Sequence, residues 1–228
     1  MKIGIIGAMG VEVASLRKTI DNVRTVKKST LVFYEGTIRN VPAVVVQCGV
    51  GKVNAAMCTA MLIGDFEVTH IINTGIAGGL QSGLHVFDVV VSSDAVHHDF
   101  DATGFNYKPC EIPGMETVSF KADSFLIDCT KRAWEQCSFS SKLTEGRIAS
   151  GDVFVNSAER KAQIKALCDP VCVEMEGAAV AQVCTLNHTP FVIIRSISDM
   201  AENTGEVYEE ELAAHISASL VARMFELL

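Results

Sequence analysis

Several things are scarce in this sequence, and each scarcity closes a class of function. No apolar run approaches the roughly 18 residues that a membrane-crossing helix needs, so no membrane partner is expected. The opening "MKIGIIGAMG" holds one lysine and an apolar stretch too short for a secretion leader with its cleavage site, which suits a cytoplasmic protein. Lys and Arg number 19 against 27 Asp and Glu, for a formal charge of -8, and they are scattered. A nucleic-acid partner needs a basic face, so that class is set aside. With only 5 prolines and no low-complexity tract, nothing reads as a linker, and the 228 residues are taken as one domain, 1–228.

Cysteine is plentiful, but its pairing patterns are missing. Cys48, Cys58, Cys110, Cys129, Cys137, Cys168, Cys172 and Cys184 form no C-x-x-C, and Cys168 and Cys172 make a solitary C-x3-C. Reduced thiols packed as small hydrophobes are expected. The "HHD" at 97–99 is no better as a metal site, because His97 and His98 would point to opposite faces of a strand.

What the sequence does have is alternation. Strand-length apolar runs occur at 2–8, 31–38, 42–48, 70–74, 87–97, 144–150, 171–175 and 190–198. Helical patterns occur at 11–21, 51–65, 123–137, 157–168, 176–187 and 206–227. Near-continuous Val/Ile strands suit a sheet buried on both faces, so the fold class is α/β with flanking helices. The least regular stretch, 98–120, is long for a plain connection, and long loops tend to serve function.

In open α/β sheets ligands bind beyond the carboxyl ends of the strands. Three of the strand exits are glycine-rich, and three carry acids: Glu12, the pair Glu174 and Glu176, and Asp199. "GIIGAMG" is a degenerate dinucleotide fingerprint, and Glu12 in the following helix would repel a pyrophosphate; an acid stabilising the first helical turn is the plain reading. "CGVGKVN" lacks the first glycine and the Ser/Thr of a P-loop, which leaves a strand-to-helix turn. "NTGIAGG" is either a tight turn or a place where bare backbone admits a ligand. "VEMEGAA" sets Glu174 and Glu176 on one face of an extended chain, with small residues behind that let a helix pack closely. In "RSISD" period two puts Arg195 and Asp199 on one face and Ser196 and Ser198 on the other. Arg195 and Asp199 lie about 13 Å apart along a strand, which favours separate partners over a mutual ion pair.

"GIIGAM" with Glu12, "GVGKVNAA", "NTGIAGG", "DVVVSSDAVHHD", "SGDVFV", "VEMEGAAVA" and "IIRSISDMA" follow in order over nearly the whole chain. Together they resemble the bacterial 5'-methylthioadenosine/S-adenosylhomocysteine nucleosidases, of the wider purine nucleoside phosphorylase/uridine phosphorylase fold. The resemblance implies a mixed, largely buried sheet and hydrolysis of the glycosidic bond of adenosine thioethers. It also implies no cofactor, no metal, and a homodimer. Carried over by position, Asp199 would protonate adenine N7, Glu12 would activate the water, Glu176 would grip the ribose hydroxyls, and Arg195 would lie near the water and Glu176. Phe154 would stack on adenine, the Val155 backbone would read its edge, and Ala77 and Gly78 would line the base pocket. Met9, Val50, Met175 and Tyr208 would border the ribose and thioalkyl side, Ile76, Glu174 and Ser198 would be further substrate-binding positions, and Phe105 and Pro113 would reach in from the partner subunit.

The chemistry suits these types. Adenine leaves readily only when protonated, the sugar turns cationic as the bond breaks, and water gains from a base. An aspartic acid that delivers a proton near neutral pH is expected to be buried. Many members carry Ser where this chain has Ile76, which alters the surroundings of the water. Tyr208 stands where Phe is common, which favours a more polar 5'-substituent. A phosphorylase would need arginines where Met9-Gly10 and Asn73 stand. Aminodeoxyfutalosine hydrolysis is a second alternative, and a nicotinamide-dependent oxidoreductase rests on "GIIGAMG" alone. A non-catalytic binding module would have no use for Glu12 and Asp199.

Overall fold

The Val/Ile runs become the middle of a single ten-stranded sheet in the computed structural model, which describes residues 1–202 and 208–228. In chain order the elements are β1 (Ile3–Gly7), α1 (Gly10–Lys18), β2 (Asp21–Lys28), β3 (Leu31–Ile38), β4 (Val41–Gln47), α2 (Lys52–Phe66), β5 (His70–Gly79) and β6 (Val89–His97). There follow β7 (Phe120–Lys121), α3 (Ser124–Glu135), β8 (Leu143–Ser150), α4 (Ala158–Cys168), β9 (Cys172–Glu174), α5 (Gly177–Leu186), β10 (Phe191–Asp199) and α6 (Glu210–Met224). The strand order is β10-β6-β8-β9-β5-β1-β4-β3-β2, with β7 on β6.

One extra pairing shapes the molecule. β10 bonds both β6 and β5, so β5, β10, β6, β8 and β9 close on themselves. The remaining strands extend as an open wing through β1. The sheet is mixed: β1/β4, β1/β5, β5/β10, β6/β8 and β8/β9 are parallel, whereas β5/β9, β6/β10 and the β2–β3–β4 meander are antiparallel.

Both faces are covered, as the continuous apolar strands require. Alternate residues of a strand enter different cores. Ile6, Val44, Val46, Ile193 and Ile197 join the cluster containing residues of α2 and α5. Ile3, Ile5, Ala43, Val45, Val192 and Ile194 join the cluster containing residues of α1, α3 and α6. Truncating one of these buried isoleucines to Ala costs about 2–5 kcal/mol.

The structure departs from the periodicity in three places. β2, "DNVRTVKK", is mostly exposed and has no apolar alternation; it forms because β3 offers an unpaired edge. β5 runs on through "NTGIAGG" as a strand, so this segment is no tight turn. The expected helix at 206–227 spans Glu210–Met224, and residues 206 and 207 lie outside the described residues. The 98–119 segment is irregular as expected, with one 3₁₀ turn at Thr103–Phe105.

Candidate active site

The carboxyl ends of β1, β5, β9 and β10 converge on one cavity of about 590 Å³ of free space, its open mouth included. Its wall holds Met9, Glu12, Val50, Ile76, Ala77, Gly78, Phe154, Val155, Glu174, Met175, Glu176, Ser198, Asp199 and Tyr208, together with Ala8, Val153 and Val173. Three expected site residues are elsewhere. Phe105 and Pro113 are exposed on the 98–119 segment, outside this chain's own cavity. Arg195 does not line the cavity either.

Glu12 serves two masters. One oxygen accepts the Met9 N–H at 2.9 Å and so caps the start of α1. The other accepts the Ile76 N–H of β5 at 3.1 Å. The plain helix-start reading of Glu12 therefore holds alongside its place in the cavity. Burial pushes the Glu12 carboxyl up, against the pull of Arg195 and the surrounding N–H groups. The glycine of β5 that matters here is Gly75: a Cβ there would sit 2.9 Å from Glu12 Cδ and 3.0 Å from Arg195 Nη1.

"VEMEGAA" splits its two glutamates between two tasks. Glu174 is spent on the scaffold. It accepts the Ser150 hydroxyl, the Glu176 N–H at 3.0 Å, the Gly177 N–H at 2.7 Å, and Arg195 Nη2. Burial would push this carboxyl up, but Arg195, Ser150 and the Gly177 N–H outweigh it and hold Glu174 below the usual carboxylate range. Glu174 therefore borders the cavity, as expected of a lining residue, while its carboxylate is hydrogen-bonded to the protein. Glu176 has one protein donor, the Gly51 N–H at 2.9 Å, and stands 4.0 Å from Arg195. Burial first, then the Glu174 charge, push Glu176 up to about 7.

Arg195 lies behind this wall, 2% exposed, with Asn73 Oδ1 at 2.6 Å from Nη2. Its charge lowers the pKa values of Glu12, Glu174 and Glu176 alike. A lone buried cation among three carboxylates keeps them from being expelled or all protonated. Its partners in the structure are Glu174, Asn73 and, at 4.0 Å, Glu176.

Asp199 ends β10 beyond a register shift. Ile197 pairs with Ala77 and Asp199 with Gly78, so Ser198 is an extra residue. The bulge breaks the period-two alternation, and Ser198 and Asp199 both reach the cavity. Asp199 accepts the Ser198 hydroxyl at 2.9 Å and the Ala201 N–H at 2.8 Å. It is half-buried, not buried as expected, because it sits at the cavity mouth. Asp199 and Arg195 have separate partners, as their spacing implied. Across the mouth Phe154 and Tyr208 meet edge to face, with centroids 6.3 Å apart.

The family model described as the phosphorylase superfamily matches residues 2–228. The chain is also 42% identical, over 251 aligned residues, to the 5'-methylthioadenosine/S-adenosylhomocysteine nucleosidase of Treponema pallidum, covering 99% of this chain and 93% of that protein. The chain belongs to this nucleosidase family. The crystal structure of the Neisseria meningitidis nucleosidase in complex with methylthio-immucillin-A is similar at 40% identity and a TM-score of 0.95, over 100% of this chain and 99% of that one. The futalosine hydrolase of Helicobacter pylori is similar at 32% identity and a TM-score of 0.93, over 100% and 98%.

In this member of the nucleosidase family, Ile76 binds Glu12 through its backbone, and its side chain packs with Ala213 and Ala214 of α6. Sequence reasoning missed Asn73 and Ser150, which hold Arg195 and Glu174, because nothing in their spacing points to these partners. It also read "GVGKVN" as a plain turn, whereas Gly51 there donates to Glu176. Gly51 has φ of 98°, which favours glycine. Among the described residues no group of three or more His, Cys, Asp and Glu side chains could hold a metal ion. His97 bonds Gln182 at 3.0 Å, while His98 packs on Gly151.

Proposed function

We propose that the chain hydrolyses the N-glycosidic bond of 5'-methylthioadenosine and S-adenosylhomocysteine, releasing adenine and the thioribose. One observation carries this reading: Glu12, Glu176 and Asp199 converge on a single cavity that also holds Phe154 and Val155. Asp199 donates its proton to N7 of adenine. Glu176 binds the ribose 2'- and 3'-hydroxyls, and Glu12 takes the proton of the attacking water. The negative charge of this wall favours the sugar as it becomes cationic. Phe154 stacks on the base, and the Val155 backbone reads its edge.

Among the described residues no Lys or Arg lines the cavity. Phosphate would meet Glu12 and Glu176 with no cation to balance it, so water is the acceptor and phosphorolysis is disfavoured. The likeness to a futalosine hydrolase supports a second reading, cleavage of an aminodeoxyfutalosine by the same groups. The active form is a homodimer in which Phe105 and Pro113 complete the partner's cavity. Phe105 is 82% exposed, and Val53 and Leu186 add apolar surface at 79% and 59% exposure, which a second copy would cover.

Adenine release from each thioether and from an aminodeoxyfutalosine, with and without phosphate, tests these readings together. Release of adenine from the thioethers in phosphate-free buffer is expected. Asp199→Asn should abolish it while the melting temperature stays unchanged. An Asp199→Asn protein of full activity refutes the assignment. Light scattering should give twice the chain mass.

A further inference from the structure

Two turns of the cavity wall are joined outside it by charged groups that the chemistry above does not use. The turn between β4 and α2 supplies Val50, and its Gly51 N–H donates to Glu176 at 2.9 Å. The turn after β8 supplies Val153, Phe154 and Val155. Lys52 and Asp99 are not part of the cavity wall, yet they connect these turns. Lys52 Nζ donates to both oxygens of Asp99, at 2.6 and 2.7 Å, and Asp99 also accepts the Asp152 N–H at 2.9 Å. Asp152 closes the ring, because its Oδ1 accepts the Lys52 N–H at 2.8 Å and so caps the start of α2. The turns approach so closely that a Cβ at Gly51 would lie 3.1 Å from Asp152 Oδ1, and one at Gly151 3.1 Å from Asp99 Cγ. Burial would push the Asp99 carboxyl up, but Lys52 and the Asp152 N–H outweigh it and hold it below the usual carboxylate range. The Lys52 and Asp99 side chains are 22% and 21% exposed, and ion pairs this accessible add little to stability.

We propose that Lys52, Asp99 and Asp152 form a clasp that positions the Gly51 N–H on Glu176 and the Phe154–Val155 wall as one unit. The proposal rests on the nucleoside reading above: Glu176 takes the ribose and Phe154 with Val155 takes the base, so the clasp sets the spacing between the two grips. Its three members are positioning residues, which act through others and touch no reacting atom. The acid and the base are held separately. Glu12 accepts the Met9 and Ile76 N–H groups, and Asp199 accepts the Ser198 hydroxyl and the Ala201 N–H. Opening the clasp therefore loosens the hold on the nucleoside and leaves the proton transfers in place. It also takes a donor from Glu176, which faces Glu174 of β9, Glu12 of α1, Arg195 of β10 and Cys48 just after β4. Without the Gly51 N–H the protonated carboxyl is favoured, so Glu176 ionises at higher pH.

Adenine release by the full-length wild type, Asp99→Ala, Lys52→Met and Lys52→Arg tests this. KM for methylthioadenosine should rise about tenfold in D99A and K52M while kcat changes less than about threefold, the pattern of lost binding without lost chemistry. The acidic limb of kcat/KM should move to higher pH in both variants. That shared direction is decisive, because removing an anion and removing a cation would shift Glu176 oppositely if they acted on it through space. K52R, which keeps a cation for Asp99, should retain most of the wild-type KM. Hydrogen exchange at the Gly51, Lys52, Asp152 and Val155 amides should quicken together about tenfold in D99A, since local opening frees both turns. Exchange needs no substrate, so it tests the clasp independently of the activity. A wild type that releases no adenine refutes the proposed activity. Unchanged KM in D99A, limb shifts of opposite sign, or exchange that quickens in one turn alone overturns the clasp. So does a fall in mass by light scattering in D99A and K52M, which would trace the defect to the dimer.

Discussion

Glu176→Gln offers the sharpest test of the electrostatics, because stability and activity should move in opposite directions. Glu176 is 6% exposed and lies among Glu174, Glu12 and Arg195. Burial and the Glu174 charge raise its pKa from 4.5 to about 7. A folded-state pKa above the unfolded one means that folding favours the protonated carboxyl. The stability this represents is complete below about pH 4.5 and is lost as pH climbs through 7. At about 1.36 kcal/mol per unit, ionising Glu176 in the folded protein costs on the order of 3 kcal/mol above pH 8. Glutamine keeps an oxygen for the Gly51 N–H but carries no charge. The variant should therefore match the wild type near pH 4.5, gain through pH 5–7, and melt roughly 6–12 °C higher above pH 8. Adenine release should meanwhile fall about 100-fold, since a charged partner of the ribose hydroxyls is gone. Thermal unfolding from pH 4.5 to 9, with the two proteins side by side, measures the first effect. Equal melting temperatures at pH 9, or a gain confined to low pH, would refute the account of Glu176.

Other substitutions probe the supporting structure. Arg195→Met strips three buried carboxylates of their cation and should cost about 3–5 kcal/mol near neutral pH; Glu174 would then rise above its unfolded range, so the loss should be smaller at pH 5 than at pH 8, and the reverse order in denaturant melts counts against this placement. Gly75→Ala puts a methyl against Glu12 and Arg195, so overpacking should cost about 1–3 kcal/mol, and kcat should fall more than KM changes; an unaltered kcat means Glu12 has room to spare. Tyr208→Phe removes a hydroxyl from the cavity mouth and should lower the preference for S-adenosylhomocysteine over methylthioadenosine by about 2–10-fold in kcat/KM, the worth of one hydrogen bond.

Much of the site was legible because its residues lie at strand exits. The motif order placed Glu12, Glu176 and Asp199 together before any coordinates. What was not legible depends on atoms brought from elsewhere in the chain. Nothing local marks β2 as a strand, because only the free edge of β3 makes it one. Nothing local says that "NTGIAGG" continues as a strand, because β10 and β9 supply its partners. The alternation in "RSISD" failed at Ser198, since a bulge answers to the neighbouring strand and not to the sequence period.

The amino-acid sequence by itself determined the α/β class, the buried parallel strands and the chemical types available at their ends. Those follow from local hydrophobic pattern and side-chain chemistry, which act over a few residues. Tertiary structure alone decided how the acids differ. Glu174 and Glu176 are two residues apart, yet one is bound by Arg195, Ser150 and the start of α5 and lies below the usual range, while the other is pushed up to about 7. Burial and the position of one guanidinium set that division, and both come from contacts distant in sequence.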